Sequence, residues 1–343
     1  MNAMSKQQIG LIESCMYAKI HDGDERMKRL SEQITDLDNT TQPTEAYLRG
    51  KAEVTRSVTD AVEKVIDGGK VFLFGSTVNG LWTPSSDLDI CVHAPGAVGK
   101  PGQVQVLKLL NKEFKHVSTH KIYGHWNAIV PILHWSSKQG SLSADISVNN
   151  SLAVVNSELI REYVRTDFRV KQLGLALKLW AKARGINDRK QGTISSFSLL
   201  LMLIHFLQKR KPPVLPYLQD LAIQRNEPPL YKNGVDIRFC RDSSVIEGEL
   251  KELGGLNTET VGFLFFEFFR YFAYHYVSGT VSTRERVECT ATEKYLFVDN
   301  PFEVGKDVAN LQACRNEKIK SELKRAHAMI SQGKSLIDIC SQL

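Results

Sequence analysis

The stretch that most constrains this chain is Phe74-Gly75-Ser76, then ten residues, then Asp87-Leu88-Asp89. The apolar run Val71–Phe74 reads as a short buried strand that stops at a Gly-Ser turn. Gly75 permits a sharp turn and close approach of the backbone to a ligand. Ser76 offers a hydroxyl and, with neighbouring N–H groups at the mouth of a short helical turn, a cradle for phosphate. Asp87–His93 is expected as the next strand. Side chains alternate along a strand, so Asp87 and Asp89 share one face while Leu88 and Ile90 take the other. Two carboxylates held side by side are costly unless a cation sits between them. Hard oxygen donors suit Mg2+ or Mn2+, with a triphosphate supplying further ligands.

A third carboxylate fits the same scheme. In Leu142-Ser143-Ala144-Asp145-Ile146-Ser147-Val148 the apolar residues point one way, and Asp145 lies on the opposite face with Ser143 and Ser147. Three carboxylates suffice for a pair of metal ions about 3.5–4 Å apart, one activating an attacking hydroxyl and one neutralising a leaving pyrophosphate. Asp145 is expected on the attacking side, where it also suits the role of base. Solvated strand aspartates beside an ordinary turn would account for each piece alone. The joint pattern points to nucleotidyl transfer.

Around this motif the chain has room for two domains: 343 residues, 42% hydrophobic and 24% charged. A net charge of +6 suits an acidic partner such as nucleic acid. The six cysteines form no C-x-x-C pair and read as reduced thiols in a non-secretory, intracellular compartment. The most apolar run, Ile194–Leu207, is too short to span a bilayer, so no membrane is expected. Residues 1–50 read as an N-terminal helical segment packing on the C-terminal half, 51–157 as a mixed α/β catalytic domain, and 158–343 as a helical domain. Strands are expected near 71–74, 87–93, 116–122, 128–135 and 142–148, with a helix at 43–67, a loop at 95–102 and a helix at 103–115. Amphipathic helices follow at about 157–166, 168–184, 195–209, 215–224 and 258–277. The aromatic residues from Phe263 to Tyr276 crowd the last of these and read as core.

The run Phe74-Gly75-Ser76-Thr77-Val78-Asn79-Gly80-Leu81-Trp82-Thr83-Pro84-Ser85-Ser86-Asp87-Leu88-Asp89-Ile90 resembles the motif of polymerase-β-type nucleotidyltransferases. It is most similar to that of terminal uridylyltransferases and the related poly(A) polymerases, and the likeness extends over roughly residues 50–320. Among these the chain most resembles the small trypanosomatid enzymes of mitochondrial RNA processing. The resemblance implies an α+β fold, with a mixed-sheet nucleotidyltransferase domain, a helical domain for base recognition, and the active site in the cleft between them. It implies template-independent transfer of UMP from UTP to the 3′-hydroxyl of RNA, with Mg2+ (or Mn2+), in RNA processing or RNA editing. The implied setting is a larger RNA-processing complex in the mitochondrion, with the cytoplasm as the other possibility.

The same resemblance assigns a nucleotide-binding set. Gly75 and Ser76 lie at the phosphates. Asn156 and Ser157 match a pair that touches ribose and base, although either also suits the cap of the next helix. Lys178 and Lys182, one helical turn apart, match two lysines on the triphosphate, within a segment (161–190) holding nine Lys or Arg against three Asp or Glu. Ser196 and Phe197 match a phosphate contact and a base stack, Phe197 standing where many relatives carry Tyr; a core Phe is the competing reading. In Phe297-Val298-Asp299-Asn300-Pro301-Phe302-Glu303, Glu303 matches a base-reading acid, while Asn300 stands where the family has Asp. Lys306 and Asn310 also depart from the pattern. Adenylyl addition to RNA is therefore the alternative within the class. A catalytically degenerate RNA-binding scaffold and nucleotide-only chemistry are the alternatives outside it.

Overall fold

A computed structural model describes residues 20–117, 121–136, 142–276, 280–284, 296–309, 311 and 313–341. Cys15, Cys289, Asn310 and the apolar positions Ile9, Ile12 and Met16 lie outside the described residues. The chain forms two compact units: Thr41–Glu162 is one, and the segment ending at Thr40 joins the chain from Tyr163 onward to make the other. The divisions differ from those expected at 50/51 and 157/158. Helix α2 (Glu45–Val65) is continuous and lies wholly in the first unit, and the second division falls inside the helix Ser151–Thr166.

In the first unit, α2 starts where Thr44 accepts a hydrogen bond from the Tyr47 N–H at 3.2 Å, a side-chain cap for an otherwise unpartnered donor. Val54, Val58, Ala61 and Val62 recur at helical spacing and are buried. A five-stranded sheet is built from β1 (Lys70–Phe74), β2 (Leu88–His93), β3 (Lys121–His125), β4 (Ile132–Ser136) and β5 (Ser143–Val148), in the order β1-β2-β5-β4-β3. Only β2 and β5 pair in parallel, so the sheet is mixed. Leu88, Ile90, Val92, Leu133, Trp135, Ala144, Ile146 and Val148 point to one face and pack with α2 and with Leu107, Leu110 and Phe114 of α4 (Gly99–Val117). Helix α4 starts earlier than the expected 103, and the loop is shorter. Pro101 falls in the first helical turn, where its missing N–H forfeits no intrahelical bond. Between β1 and β2 lies the single-turn helix α3 (Ser76–Asn79).

In the second unit, α1 (Glu25–Thr40) packs on a helix at Val261–Arg270. Their closest approach is at Gly262, where an added Cβ would lie 2.2 Å from the Met27 carbonyl oxygen and 2.7 Å from Ser31 Oγ. The Gly262 N–H donates to Ser31 Oγ at 2.9 Å. Along α5 (Ser151–Thr166), α6 (Phe168–Ala183), α7 (Ser196–Gln208), α8 (Leu218–Gln224), α9 (Ser243–Glu252) and α10 (Val261–Arg270) the chain is helical. The expected 258–277 helix is α-helical only to Arg270 and continues as one π turn, Tyr271–His275. Phe265, Phe266, Phe268 and Phe269 are fully buried, as expected of a core stripe. The described Cys91, Cys240 and Cys340 are free thiols, all buried. No helix among the described residues is long and apolar enough to cross a membrane.

One buried group makes this unit acid-sensitive. His327, on α11 (Ala313–Ser331), is 0% exposed and stacks on Phe266 with ring centroids 4.8 Å apart. Neither ring nitrogen has a hydrogen-bond partner among the described residues. Burial pushes its pKa down, from 6.5 to about 4. The folded state thus binds the proton more weakly than the unfolded state, and stability present above pH 6.5 is lost as pH falls toward 4. His327→Phe keeps the stack and removes the proton site. It is expected to raise stability at pH 5 by about 2 kcal/mol relative to wild type, and by much less at pH 7.5. Urea titrations at the two pH values check this. An equal effect at both would show that protonation is not involved.

Candidate active site

The site is a row across the sheet. Phe74 on β1 is opposite Asp89 on β2, Asp89 is beside Asp145 on β5, Asp145 is opposite His134 on β4, and His134 is opposite Tyr123 on β3. Cross-strand neighbours share a face. It is the face opposite the core residues Leu88, Ile90, Ala144 and Ile146. Asp87 immediately precedes β2 and is exposed.

Gly75 closes the row at the β1 end. Its backbone is left-handed, with φ 70°. A Cβ there would stand 1.9 Å from Asp89 Oδ2. Glycine is thus required twice, by conformation and by the carboxylate packed on it. The Gly75 N–H donates to Ser157 Oγ at 2.8 Å, and Ser157 Oγ–H donates in turn to the Ala153 carbonyl at 2.8 Å. Behind the turn, Lys51 Nζ donates to the Thr77 carbonyl at 3.1 Å, and the Tyr47 and Trp82 rings meet at a tilt of 48° with centroids 4.6 Å apart. Burial holds the Lys51 pKa below its ordinary value. Ser76 is half-buried at the start of this turn.

The capping role weighed for Asn156 and Ser157 is not what the structure shows, because α5 starts at Ser151 and both lie inside it. Ser157 instead anchors the Gly75 turn. Asn156 Oδ1 is buried with no hydrogen-bond partner among the described residues, an acceptor facing no donor. Ser157→Ala should leave the partly buried Gly75 N–H without this acceptor and cost about 1 kcal/mol, read from urea unfolding. A cost below about 0.5 kcal/mol would show that the bond does not hold the turn.

Among the described residues no three His, Cys, Asp or Glu side chains are already gathered around one point as a metal cage. Asp87 accepts a hydrogen bond from Ser143 Oγ, and Asp145 Oδ1 accepts from His134 Nδ1 at 2.7 Å. The donor chemistry nonetheless fits divalent cations: all three groups offer hard oxygens, register sets Asp89 beside Asp145, and the bonds from Ser143 to Asp87 and from His134 to Asp145 each engage one of two carboxylate oxygens. His134 was not singled out from the sequence. Alternation along β4 shows which face it takes, but only the β4–β5 register sets it against Asp145.

The remaining candidates belong to the helical unit. Lys178 is half-buried and Lys182 exposed on α6. Ser195 caps α7 by accepting from the Ser198 N–H, and Ser196 Oγ donates to Asn187 Oδ1 at 3.0 Å. Phe197 is partly exposed, whereas Leu199–Leu203 are buried. Asn300 is 5% exposed and occupied by its own loop: Oδ1 accepts from the Phe302 and Glu303 N–H groups at 3.0 and 3.2 Å, and Nδ2 donates to Glu303 Oε2 at 3.1 Å. Lys306 Nζ reaches the same Glu303 oxygen at 2.8 Å. Asp299, next to Asn300, is buried and accepts from the Gly305 N–H at 2.7 Å.

Residues 30–165 match the family model for the central palm domain of mitochondrial-like poly(A) RNA polymerases. The chain is 32% identical over 285 residues to poly(A) RNA polymerase cid13 of Schizosaccharomyces pombe, covering 80% of this chain and 48% of that protein. It is 29% identical over 294 residues to human terminal uridylyltransferase 7, covering 83% of this chain and 19% of the relative. Over about four fifths of its length the chain is similar to poly(A) RNA polymerases and terminal uridylyltransferases. It spans about half the length of the fission-yeast relative and a fifth of the human one. Among solved structures, the Cid1 poly(U) polymerase bound to MgATP superposes with TM-score 0.80 at 22% identity, covering 92% of this chain and 99% of that one. mtPAP in complex with UTP gives 0.80 at 24% identity, covering 100% and 76%. The fold is thus the α+β, polymerase-β-like fold. These named relatives are fission-yeast and human enzymes, and the narrower likeness to trypanosomatid enzymes has no support from them.

Proposed function

We propose that this chain adds nucleotides to RNA 3′ ends without a template, transferring UMP from UTP. The observation that carries the reading is the register that sets Asp89 beside Asp145, with Asp87 one residue before the strand and the Gly75 turn packed against Asp89. Asp87, Asp89 and Asp145 would hold Mg2+ (or Mn2+), which when bound supplies the Lewis acidity for the hydroxyl nucleophile and the pyrophosphate leaving group. Gly75 admits the triphosphate close to the backbone, and Ser76 Oγ–H is the hydroxyl donor there. Asn156 Oδ1 is the acceptor for the ribose. Lys178 and Lys182 balance phosphate charge, Ser196 adds a hydroxyl, and Phe197 offers a ring to the base.

Uracil as the base rests on Glu303, whose carboxylate suits the N3–H donor of a pyrimidine. Asn300 is spent inside its loop, which favours Glu303 as the direct base contact of the two. Adenylate addition is the second reading, supported by relatives named as poly(A) RNA polymerases. Incubation of the protein with a short RNA, Mg2+ and one NTP at a time separates the two. Extension with UTP alone is expected; extension with ATP but not UTP would overturn the uridylyl reading. No product with any NTP, from wild type and Asp87→Ala alike, would favour an RNA-binding scaffold. We further infer a role in RNA processing or editing within a larger complex, in the mitochondrion rather than the cytoplasm. The family model's mitochondrial-like description supports that compartment, and cell fractionation tests it.

A further inference from the structure

We propose that His134 is a positioning residue for Asp145, presenting one carboxylate oxygen of the attacking-side ligand to the metal. The inference rests on the reading of Asp145 as a metal ligand. His134 and Asp145 are directly opposed across β4 and β5, and Nδ1 and Oδ1 are 2.7 Å apart, the length of a charge-assisted hydrogen bond. An ionised carboxylate only accepts, so Nδ1 carries the hydrogen. The side chains of His134 and Asp145 are 19% and 30% exposed, so the bond is partly shielded from competing water.

The imidazole is itself braced. Tyr123, the next residue in the row, lies against it with ring centroids 4.7 Å apart and planes at 36°. Tyr123 in turn contacts His125 edge-on at 5.3 Å. The β3 edge thus fixes the ring, the ring fixes Oδ1, and Oδ2 is left as the ligand oxygen. The strands need no such bond to pair, because β4 and β5 are already joined through five residue pairs, Ile132↔Ser147 to Ser136↔Ser143. Hydrogen-bonded outer partners of metal-ligating carboxylates commonly govern metal affinity, and their loss costs about 10–100-fold.

Two substitutions separate positioning from packing. His134→Phe keeps a ring against Tyr123 and deletes the donor. His134→Asn keeps an N–H near the place of Nδ1 and deletes the ring. Free Mn2+ is measured by electron paramagnetic resonance as Mn2+ is titrated into the full chain, with α,β-methylene UTP or ATP present. His134→Phe is expected to weaken Mn2+ binding by about 10–100-fold, and His134→Asn to stay within about threefold of wild type. In RNA extension, excess Mn2+ should restore the rate of His134→Phe but not that of Asp145→Ala. Equal Mn2+ affinity of His134→Phe and wild type would overturn the proposal, as would His134→Asn binding as weakly as His134→Phe. If Asp145→Ala binds Mn2+ as wild type does, the metal-ligand reading of Asp145 falls, and this inference falls with it.

Discussion

Asp89→Asn is expected to lower RNA extension by at least about 10³-fold, since the ions it would help hold supply several kcal/mol of transition-state charge stabilisation. Asp89 lies within the row, with Phe74 on one side and Asp145 on the other. Asparagine keeps the shape and one oxygen but removes the charge that draws a cation between the strands. Stability should move little, or rise, because neutralising one of neighbouring carboxylates relieves like-charge repulsion when no cation is bound. Primer extension with labelled RNA at saturating NTP gives the rate, and a thermal melt without metal gives the stability. More than a tenth of wild-type activity would remove Asp89 from the metal site. A collapse of the melting temperature would make its role structural.

Gly75→Ala is the second large effect. The added Cβ would meet Asp89 Oδ2 at 1.9 Å, Cγ at 2.9 Å and Cβ at 3.2 Å, on a backbone with φ +70°. The chain has to displace either the carboxylate or the turn. Strain of this kind costs about 1–3 kcal/mol, and a misplacement near 1 Å at a reacting centre lowers rates by about 10²-fold. The clash is pairwise, which makes it separable. In a double-mutant cycle with Asp89→Gly, part of the stability lost in Gly75→Ala should return, because the obstructing side chain is gone, while activity stays lost. Strictly additive stabilities would show that the conformation of Gly75 alone, not its contact with Asp89, sets the cost.

Much of this architecture is legible in local pattern. Alternation in Leu88–His93 and Ser143–Val148 decides which residues are buried, and so which face the carboxylates take. Thr44 announces the helix at Glu45, and the Phe263–Tyr276 stripe announces a core element. These are one-dimensional signals: a strand repeats every two residues, a helix every 3.6, and a cap sits at one end. Boundaries were less legible. Pro101 reads as a helix breaker, yet it is accommodated in the first turn of α4. Helix α5 begins six residues before the expected 157, after Asn149-Asn150, residue types that suit a cap as well as Asn156 and Ser157 do, so local chemistry does not choose between the two starts.

What the chain determines by its order alone is the chemical identity of the site: a Gly-Ser turn after a strand, two aspartates on one face of the next, and a third on a later strand with the same alternation. That follows from side-chain periodicity and needs no long-range information. Tertiary structure decided which of these meet. The parallel register of β2 and β5 sets Asp89 beside Asp145 rather than two residues away, and the β4 register brings in His134. A long-range bond assigns Ser157 to the Gly75 N–H, and a loop closed on itself consumes Asn300. Register and loop closure are properties of pairs of segments far apart in sequence. A shift of one residue would turn every side chain of a strand to the other face, so neither can be read along a single strand.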